Sequence, residues 1–160
     1  MQTSFSQTWT ILGNEGDISA VASSHVSITV VDEVPYAVYV EGATSGIGKV
    51  KKFNAGLWEQ VGGNLSVTNI SYTRIYSDKT GKLYVAYIDN GNGSKLAVKT
   101  FNGINWEPLI LGDEYVSSLA VTLSTSGTNP AGATNVRSTM AFDGNNIPYI
   151  TYSANGIPYA

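Results

Sequence analysis

The chain has 160 residues, 42% of them hydrophobic, which is enough for one folded domain with an ordinary core. Its formal net charge is −3, from 9 basic and 12 acidic residues, so it lacks the basic excess expected of a nucleic-acid binder. It has no cysteine, which excludes disulfides and thiolate metal sites. No apolar run approaches the roughly 18 residues of a membrane span, and residues 1–7 lack the basic and apolar regions of a signal peptide.

The first predicted element is a strand over residues 7–13, which contains Trp9. Its tryptophan recurs as Trp58 and Trp106, at spacings of 58 − 9 = 49 and 106 − 58 = 48 residues. A fixed period of about 20 to 50 residues is typical of solenoids and propellers. We therefore interpret residues 1–160 as a single repeat domain, in which this first strand precedes the complete units.

Two complete repeat units are predicted next, over residues 26–62 and 72–112. In each unit we predict four short strands, which are rich in Val, Ile, Thr, Tyr and Phe, the residues that favour half-buried pleated surfaces. The second strand of each unit is a tyrosine segment, and the fourth carries the tryptophan. The predicted strands lie near residues 26–31, 35–40, 48–53 and 57–61 in the first unit, and near 72–77, 83–88, 96–101 and 105–110 in the second.

The repeat is interrupted after the second unit. From Trp58 to Tyr84 there are 26 residues, but from Trp106 to Tyr149 there are 43, an excess of 43 − 26 = 17. We assign the excess to an insertion over residues 112–135, whose first half includes a candidate extra strand. Long surface insertions cost little entropy, and loops on rigid scaffolds often carry function, so both interpretations of the insertion stay open.

The last unit is predicted over residues 136–160, with the strand over residues 7–13 as the candidate for its fourth strand. Four short antiparallel strands in about 48 residues are typical of a β-propeller blade, and no segment has a convincing helical period. The predicted fold class is all-β and β-propeller-like, with about three four-stranded blades per chain. Since propellers typically have four to eight blades, we expect either oligomerisation, with two chains completing a six-blade ring, or membership of a larger propeller.

Three motifs of the repeat resemble those of bacterial surface and secreted β-propeller proteins. They are a Trp strand ending in Val-Gly, a Pro-Tyr-Val-Ala-Tyr-Asp segment and a Val-Lys-Lys-Phe-Asn-Gly hairpin. The matching residues here are 58–62, 83–89 and 50–54. The resemblance implies a propeller scaffold and favours an extracellular or cell-surface location. The architecture is also similar to that of propeller lectins assembled from short chains.

Catalytic and metal-binding patterns are incomplete in the sequence. His25 is the only histidine and no Gly-x-Ser-x-Gly elbow accompanies it, so a Ser/His/Asp triad is not predicted. A glycosidase needs two facing carboxylates, whereas the candidate acids are expected to be solvated turn residues: Asp32, Glu41, Asp89 and Asp143. Residues 89–93 resemble a calcium loop but have Gly91 and Gly93 where oxygen ligands are needed. We predict no catalytic residue, metal site or cofactor.

The aromatic residues carry the functional hypothesis. Ten tyrosines and three tryptophans offer ring faces that can stack on sugars. The predicted function is a non-catalytic, lectin-like recognition module for neutral glycans, with Trp9, Trp58 and Trp106 as candidate ligand contacts. Packing between blades is the competing interpretation of the same tryptophans. The alternative functions are a structural protein that self-associates through its open blade faces, and a glycoside-active enzyme.

Overall fold

A computed structural model describes residues 10–13, 18–121, 139–155 and 157–160. Within these ranges the chain is all-β, with eleven strands in three antiparallel sheets and no α-helix. The all-β prediction is confirmed. In the part of the chain that the structure describes, no helix is long and apolar enough to cross a membrane.

The first sheet is a meander of four strands in sequence order. Its strands are β1 (Ser23–Val31), β2 (Val34–Glu41), β3 (Ile47–Asn54) and β4 (Leu57–Gln60). The turn between β1 and β2 uses Asp32 and Glu33, which have φ angles of 49° and 65°. Two successive positive φ angles match the right-handed twist of the flanking strands, so this turn closes a tight hairpin.

The second sheet repeats the first, and the third sheet repeats three of its strands. The second sheet contains β5 (Ile70–Ser77), β6 (Leu83–Asp89), β7 (Lys95–Phe101) and β8 (Trp106–Pro108), with a short 3-10 helix at Asn90–Asn92 between β6 and β7. The third sheet contains β9 (Thr139–Phe142), β10 (Pro148–Ala154) and β11 (Ile157–Tyr159), with β10 in the middle. These strands overlap those predicted from residue 26 onwards, whereas residues 10–13, the described part of the predicted first strand, are not in a strand.

A β-bulge that the sequence analysis did not predict also recurs. The pairing register shifts between Ser24 and Ser27 in the first sheet and between Ser71 and Arg74 in the second. The bulged residues His25 and Tyr72 both have positive φ angles, 52° and 54°, and their rings lie 4.7 Å apart. A bulge bends its strand, so the two first strands bend at the same point and bring these rings together.

The three sheets stack face to face, with the second sheet in the middle. Every residue of β6 is buried, because its two faces contribute to two different hydrophobic clusters. One cluster joins the first and second sheets and includes Val38, Val40, Val50, Ile75, Val85 and Tyr87. The other joins the second and third sheets and includes Tyr84, Ala86, Ile88 and Met140, with Phe142, Ile150 and Tyr152 at its margin. A strand buried on both sides explains why its sequence does not alternate between apolar and polar residues.

Backbone hydrogen bonds locate the point at which the repeat is interrupted. Ile70 donates its N–H to Gly46 at 2.7 Å, and Val121 donates to Ser94, the residue 48 positions after Gly46, at 2.9 Å. Val121 therefore occupies the position in the second unit that Ile70 occupies in the first. The two residues are 121 − 70 = 51 positions apart, three more than the period of 48, so three of the 17 extra residues precede Val121. Residues 116–121 form no separate strand. The other 14 extra residues fall within 122–138, outside the described residues.

Candidate functional site

Each described tryptophan hydrogen-bonds to the end of the preceding repeat unit. Trp106 donates its indole N–H to the carbonyl oxygen of Val61 at 2.8 Å, and Trp58 donates to that of Leu12 at 3.2 Å. Both acceptors stand three residues after the preceding tryptophan, since 58 + 3 = 61 and 9 + 3 = 12. The Trp106 ring is 7% exposed, and that of Trp58 is half-buried. These contacts join successive units.

The Val-Gly motif makes room for the next tryptophan. A Cβ atom on Gly62 would lie 2.9 Å from Cδ1 of Trp106 and 3.1 Å from Cε2 of Phe101. Gly62 also has a φ angle of 68°, and the equivalent Gly13 has one of 78°. Positive φ angles are readily adopted by glycine alone. The motif is therefore a packing feature of the repeat.

Two of the three candidate tryptophans, Trp58 and Trp106, are among the described residues. Trp58 and Trp106 lie on different strands, β4 and β8, and both use their N–H groups on backbone carbonyls. Trp9 lies outside the described residues. The role of these residues as ligand contacts stays a prediction.

A groove of 370 Å³ opens between the first and second sheets, beside the Trp106 contact. The first sheet contributes Tyr36, Lys52 and Gln60 to its lining, together with Val61 and Gly62. The second sheet contributes the β5–β6 turn, the end of β7 and the β7–β8 turn, with Gly81, Lys82, Leu83, Phe101, Gly103 and Ile104. Its volume lies within the range of small-molecule sites, about 300 to 1,000 Å³.

The groove combines ring surface with hydrogen-bond donors. The Phe101 ring packs against Trp106, with centroids 5.1 Å apart, which fixes the orientation of the ring beside the groove. Lys52, Lys82 and Gln60 add two ammonium groups and a side-chain amide. The described residues of its lining include no carboxylate and no histidine. This arrangement suits binding of a ligand with a ring and several polar substituents.

A network around Asp78 holds the β5–β6 turn that forms one wall of the groove. Its Oδ1 atom accepts hydrogen bonds from the Thr80 backbone at 2.8 Å, the Thr80 hydroxyl at 2.7 Å and the Lys82 backbone at 3.1 Å. Burial raises the pKa of this carboxyl, but the hydrogen bonds outweigh burial and lower its pKa overall. Because the pKa of Asp78 is lowered, its hydrogen bonds stabilise the turn fully at pH values above the ordinary pKa of aspartate. This stabilisation is lost as the pH falls through the lowered pKa. The wall is therefore in place at neutral pH.

The polar groups of the groove could have been found where the repeat changes. Lys52 pairs with Tyr36 in the first sheet, whereas the equivalent residue in the second sheet is Thr100, which pairs with Tyr84. Gln60 corresponds in the same way to Pro108, since 108 − 60 = 48. Repeated residues mark the scaffold, so polar residues that one unit has and the next lacks are the signal of a local site. The ligand contacts predicted from the sequence were the repeated tryptophans and did not include these polar residues.

His25 contacts a backbone carbonyl group and a tyrosine ring in the described structure. Its Nε2 lies 2.7 Å from the Thr44 carbonyl oxygen, to which it donates because a carbonyl only accepts. Its ring packs on Tyr72 at the bulge. Across the described residues, no group of three or more His, Cys, Asp or Glu side chains is placed to hold a metal ion.

Asp89 departs from the expectation of a solvated turn residue. It is 2% exposed, and its carboxylate accepts four hydrogen bonds, from Thr68 Oγ1 at 2.5 Å, Gly91 N at 3.1 Å, Asn92 Nδ2 at 2.9 Å and Tyr115 OH at 3.1 Å. Burial, followed by the Asp89 charge, raises the pKa of Tyr115 to about 12. Asp89 thus ties the end of β6 to the segment that follows β8.

We expect Asp89→Asn to lower the free energy of unfolding by about 2 kcal/mol. The amide retains one acceptor oxygen, so two of the four donors face an NH2 group, and hydrogen bonds to a charged group contribute about 1.5 to 3 kcal/mol. Urea denaturation at pH 7 measures the change. Asp113→Asn is the matched control in the same region, because Asp113 is exposed and should change stability by less than about 0.5 kcal/mol. Equal losses in both variants would contradict the assignment.

Comparisons of the chain with protein-family models, with curated proteins and with solved structures give no match.

Proposed function

We propose that the three sheets are blades of a β-propeller and that the chain is a non-catalytic recognition module, which binds carbohydrate in the groove between the first two sheets. The observation that carries this proposal is the groove itself, in which Phe101 presents a ring surface beside Lys52, Lys82 and Gln60. The resemblance to bacterial propeller repeats supports the scaffold part of the proposal.

The contacts between the first strands support a propeller. Thr29 and Ser77 are joined through their hydroxyl groups at 3.2 Å, and the Ile75 N–H donates to the Ser27 hydroxyl at 3.3 Å. The two residues of each pair are 48 positions apart, so these contacts join the first strand of one unit to the first strand of the next. First strands that lie side by side along one edge are what a radial arrangement of blades requires.

A neutral, hydroxyl-rich ligand fits the chemistry of the groove. The apolar face of a sugar ring can stack on an aromatic side chain, while amide and ammonium groups donate hydrogen bonds to the hydroxyls. Neither interaction requires a metal ion. Because Lys52 also lies 3.9 Å from Glu59, its charge is partly balanced, which is consistent with a neutral ligand.

The lining of the groove favours binding over catalysis. Hydrolysis of a glycosidic bond ordinarily uses two carboxyl groups on opposite sides of the bond, and none of the described residues that line this groove carries a carboxylate. The candidate acids of the sequence analysis lie elsewhere: Glu41 pairs with Lys49 at 2.8 Å, and Asp89 is buried among its four donors. The glycoside-active alternative therefore has no support from the groove.

Glycan binding with a matched pair of variants tests the proposal. We expect the chain to bind members of a neutral glycan array, and Phe101→Leu to weaken the binding of the best neutral glycan about tenfold, a change of about 1.4 kcal/mol. Phe53→Leu is the control, because Phe53 packs on Trp58 as Phe101 packs on Trp106, with centroids 5.3 Å apart, but does not line the groove. Titration calorimetry gives both affinities.

Three results would refute this function. They are preference for sulfated over neutral glycans, loss of binding when a chelator is added, and equal weakening by the two phenylalanine variants. Absence of binding on neutral and sulfated arrays alike would favour the second candidate function, a structural protein that assembles through its outer sheet faces. The observation in favour of that candidate is the exposure of apolar side chains on those faces, including Ile28, Val30 and Tyr149.

A further inference from the structure

We propose that the outer face of the third sheet docks on the outer face of the first sheet of a second copy of this chain, so that two copies close a ring of six sheets. This inference rests on the proposed propeller arrangement and is independent of carbohydrate binding.

The two interfaces between sheets inside the chain are built in the same way, since equivalent faces of the first and second sheets pack on the sheet that follows. In the first sheet, Val38 and Val40 pack on the second sheet. Their counterparts 48 residues later, Ala86 and Ile88, pack on the third sheet. Each sheet thus presents one kind of face to the next unit and the opposite kind to the preceding unit.

The first sheet has an open face of the kind that receives a preceding unit. Thr29 points at the second sheet, where it meets Ser77, so its neighbours Ile28 and Val30 point the other way. These two side chains are 59% and 57% exposed. In the second sheet the residue equivalent to Ile28 is Ile75, which is buried against the first sheet. On the β2 part of this face Tyr39 is already buried, so the open surface is the strip along β1.

The third sheet has an open face of the complementary kind. Ile150 and Tyr152 point at the second sheet, so Tyr149, which alternates with them along β10, points away. Tyr149 is 58% exposed. Its equivalents Tyr36 and Tyr84 both pack on the unit that follows them, in the first and second cluster respectively. A continuation of the same stacking would bury Tyr149.

The internal interface also identifies the residue that Tyr149 should meet. The ring of Tyr84 lies 4.9 Å from that of Phe142 in the following sheet. Phe142 pairs with Pro148, as Val30 pairs with Pro35 in the first sheet, so Val30 occupies the Phe142 position. The repeated geometry therefore places Tyr149 of one copy against Val30 of the other.

Blade number favours two copies. The described residues of each copy form three sheets, and two copies together supply six, which lies within the four to eight blades that propellers typically have. Two copies related by a two-fold axis would make this contact twice, because Tyr149 of each copy would meet Val30 of the other. Both open faces of each copy would then be covered.

Cysteine cross-linking tests the pairing cleanly, because the natural chain has no cysteine. We expect the double variant Val30→Cys, Tyr149→Cys to be joined by a short bis-maleimide into a covalent dimer of about twice 17.0 kDa. Each single variant should give no dimer, because Val30 does not meet Val30 nor Tyr149 meet Tyr149. The control pair Thr29→Cys, Tyr149→Cys should also give none, because Thr29 faces the second sheet.

Native mass of the unmodified chain completes the test, with about twice 17.0 kDa expected. A 17.0 kDa monomer without cross-links would overturn the proposal. So would dimers of either single variant, which would indicate like faces meeting, and equal cross-linking of the control pair. A ladder beyond two copies would overturn closure into a six-sheet ring. Failure of the glycan array leaves each of these results unchanged, so the two proposals fail separately.

Discussion

Trp106→Ala should lower the free energy of unfolding by about 3 to 5 kcal/mol, the usual cost of removing a large buried aromatic side chain. The ring is 7% exposed, packs on Phe101 and lies against Gly62 of the preceding unit. Its loss leaves a cavity between the first and second sheets and deprives the Val61 carbonyl of its donor. Urea denaturation measures the change. If the free energy of unfolding depends on urea concentration with the same slope as in the unsubstituted chain, the folded and unfolded states have kept their compactness.

Two further variants separate packing from hydrogen bonding at this position. Trp106→Phe keeps a ring but removes the N–H, and leaving a buried acceptor unpaired costs about 1 to 3 kcal/mol. Trp58→Ala should cost less than Trp106→Ala, because the Trp58 ring is only half-buried. A loss below about 1 kcal/mol for Trp106→Ala would contradict the packing role and return this ring to the candidate ligand contacts.

Gly62→Val should destabilise the protein by about 3 kcal/mol. The new Cβ would lie 2.9 Å from Cδ1 of Trp106, so the ring must move, and overpacking a dense interior typically costs 1 to 3 kcal/mol. The φ angle of 68° adds strain, because a β-branched side chain rarely adopts that conformation. Denaturation and near-ultraviolet circular dichroism, which reports the environment of Trp106, should change together.

The neighbouring glycine provides the control for this variant. A Cβ on Gly63 would meet nothing within 4 Å, so Gly63→Ala should change stability by less than about 0.5 kcal/mol. If Gly62→Val is as well tolerated as Gly63→Ala, the Val-Gly motif is not a packing requirement of the tryptophan contact.

The sequence by itself determined the secondary structure and the period of this protein. β-branched and aromatic runs and turn residues such as Asp78 are local signals, because a strand or a turn depends mainly on its own residues. The spacing of Trp9, Trp58 and Trp106 then aligned the units. These signals were sufficient to predict three successive sets of strands and the all-β class.

Tertiary structure alone decided which side chains face which neighbours. Asp89 looked like a solvated turn residue, but Thr68 and Tyr115, 21 and 26 residues away, surround it with donors. Phe101 and Lys52 come from different units, and only the stacking of the two sheets makes them line one groove. Burial and hydrogen-bond partners depend on residues distant in sequence, whereas a repeated pattern describes what the units share and gives no information about the positions at which they differ.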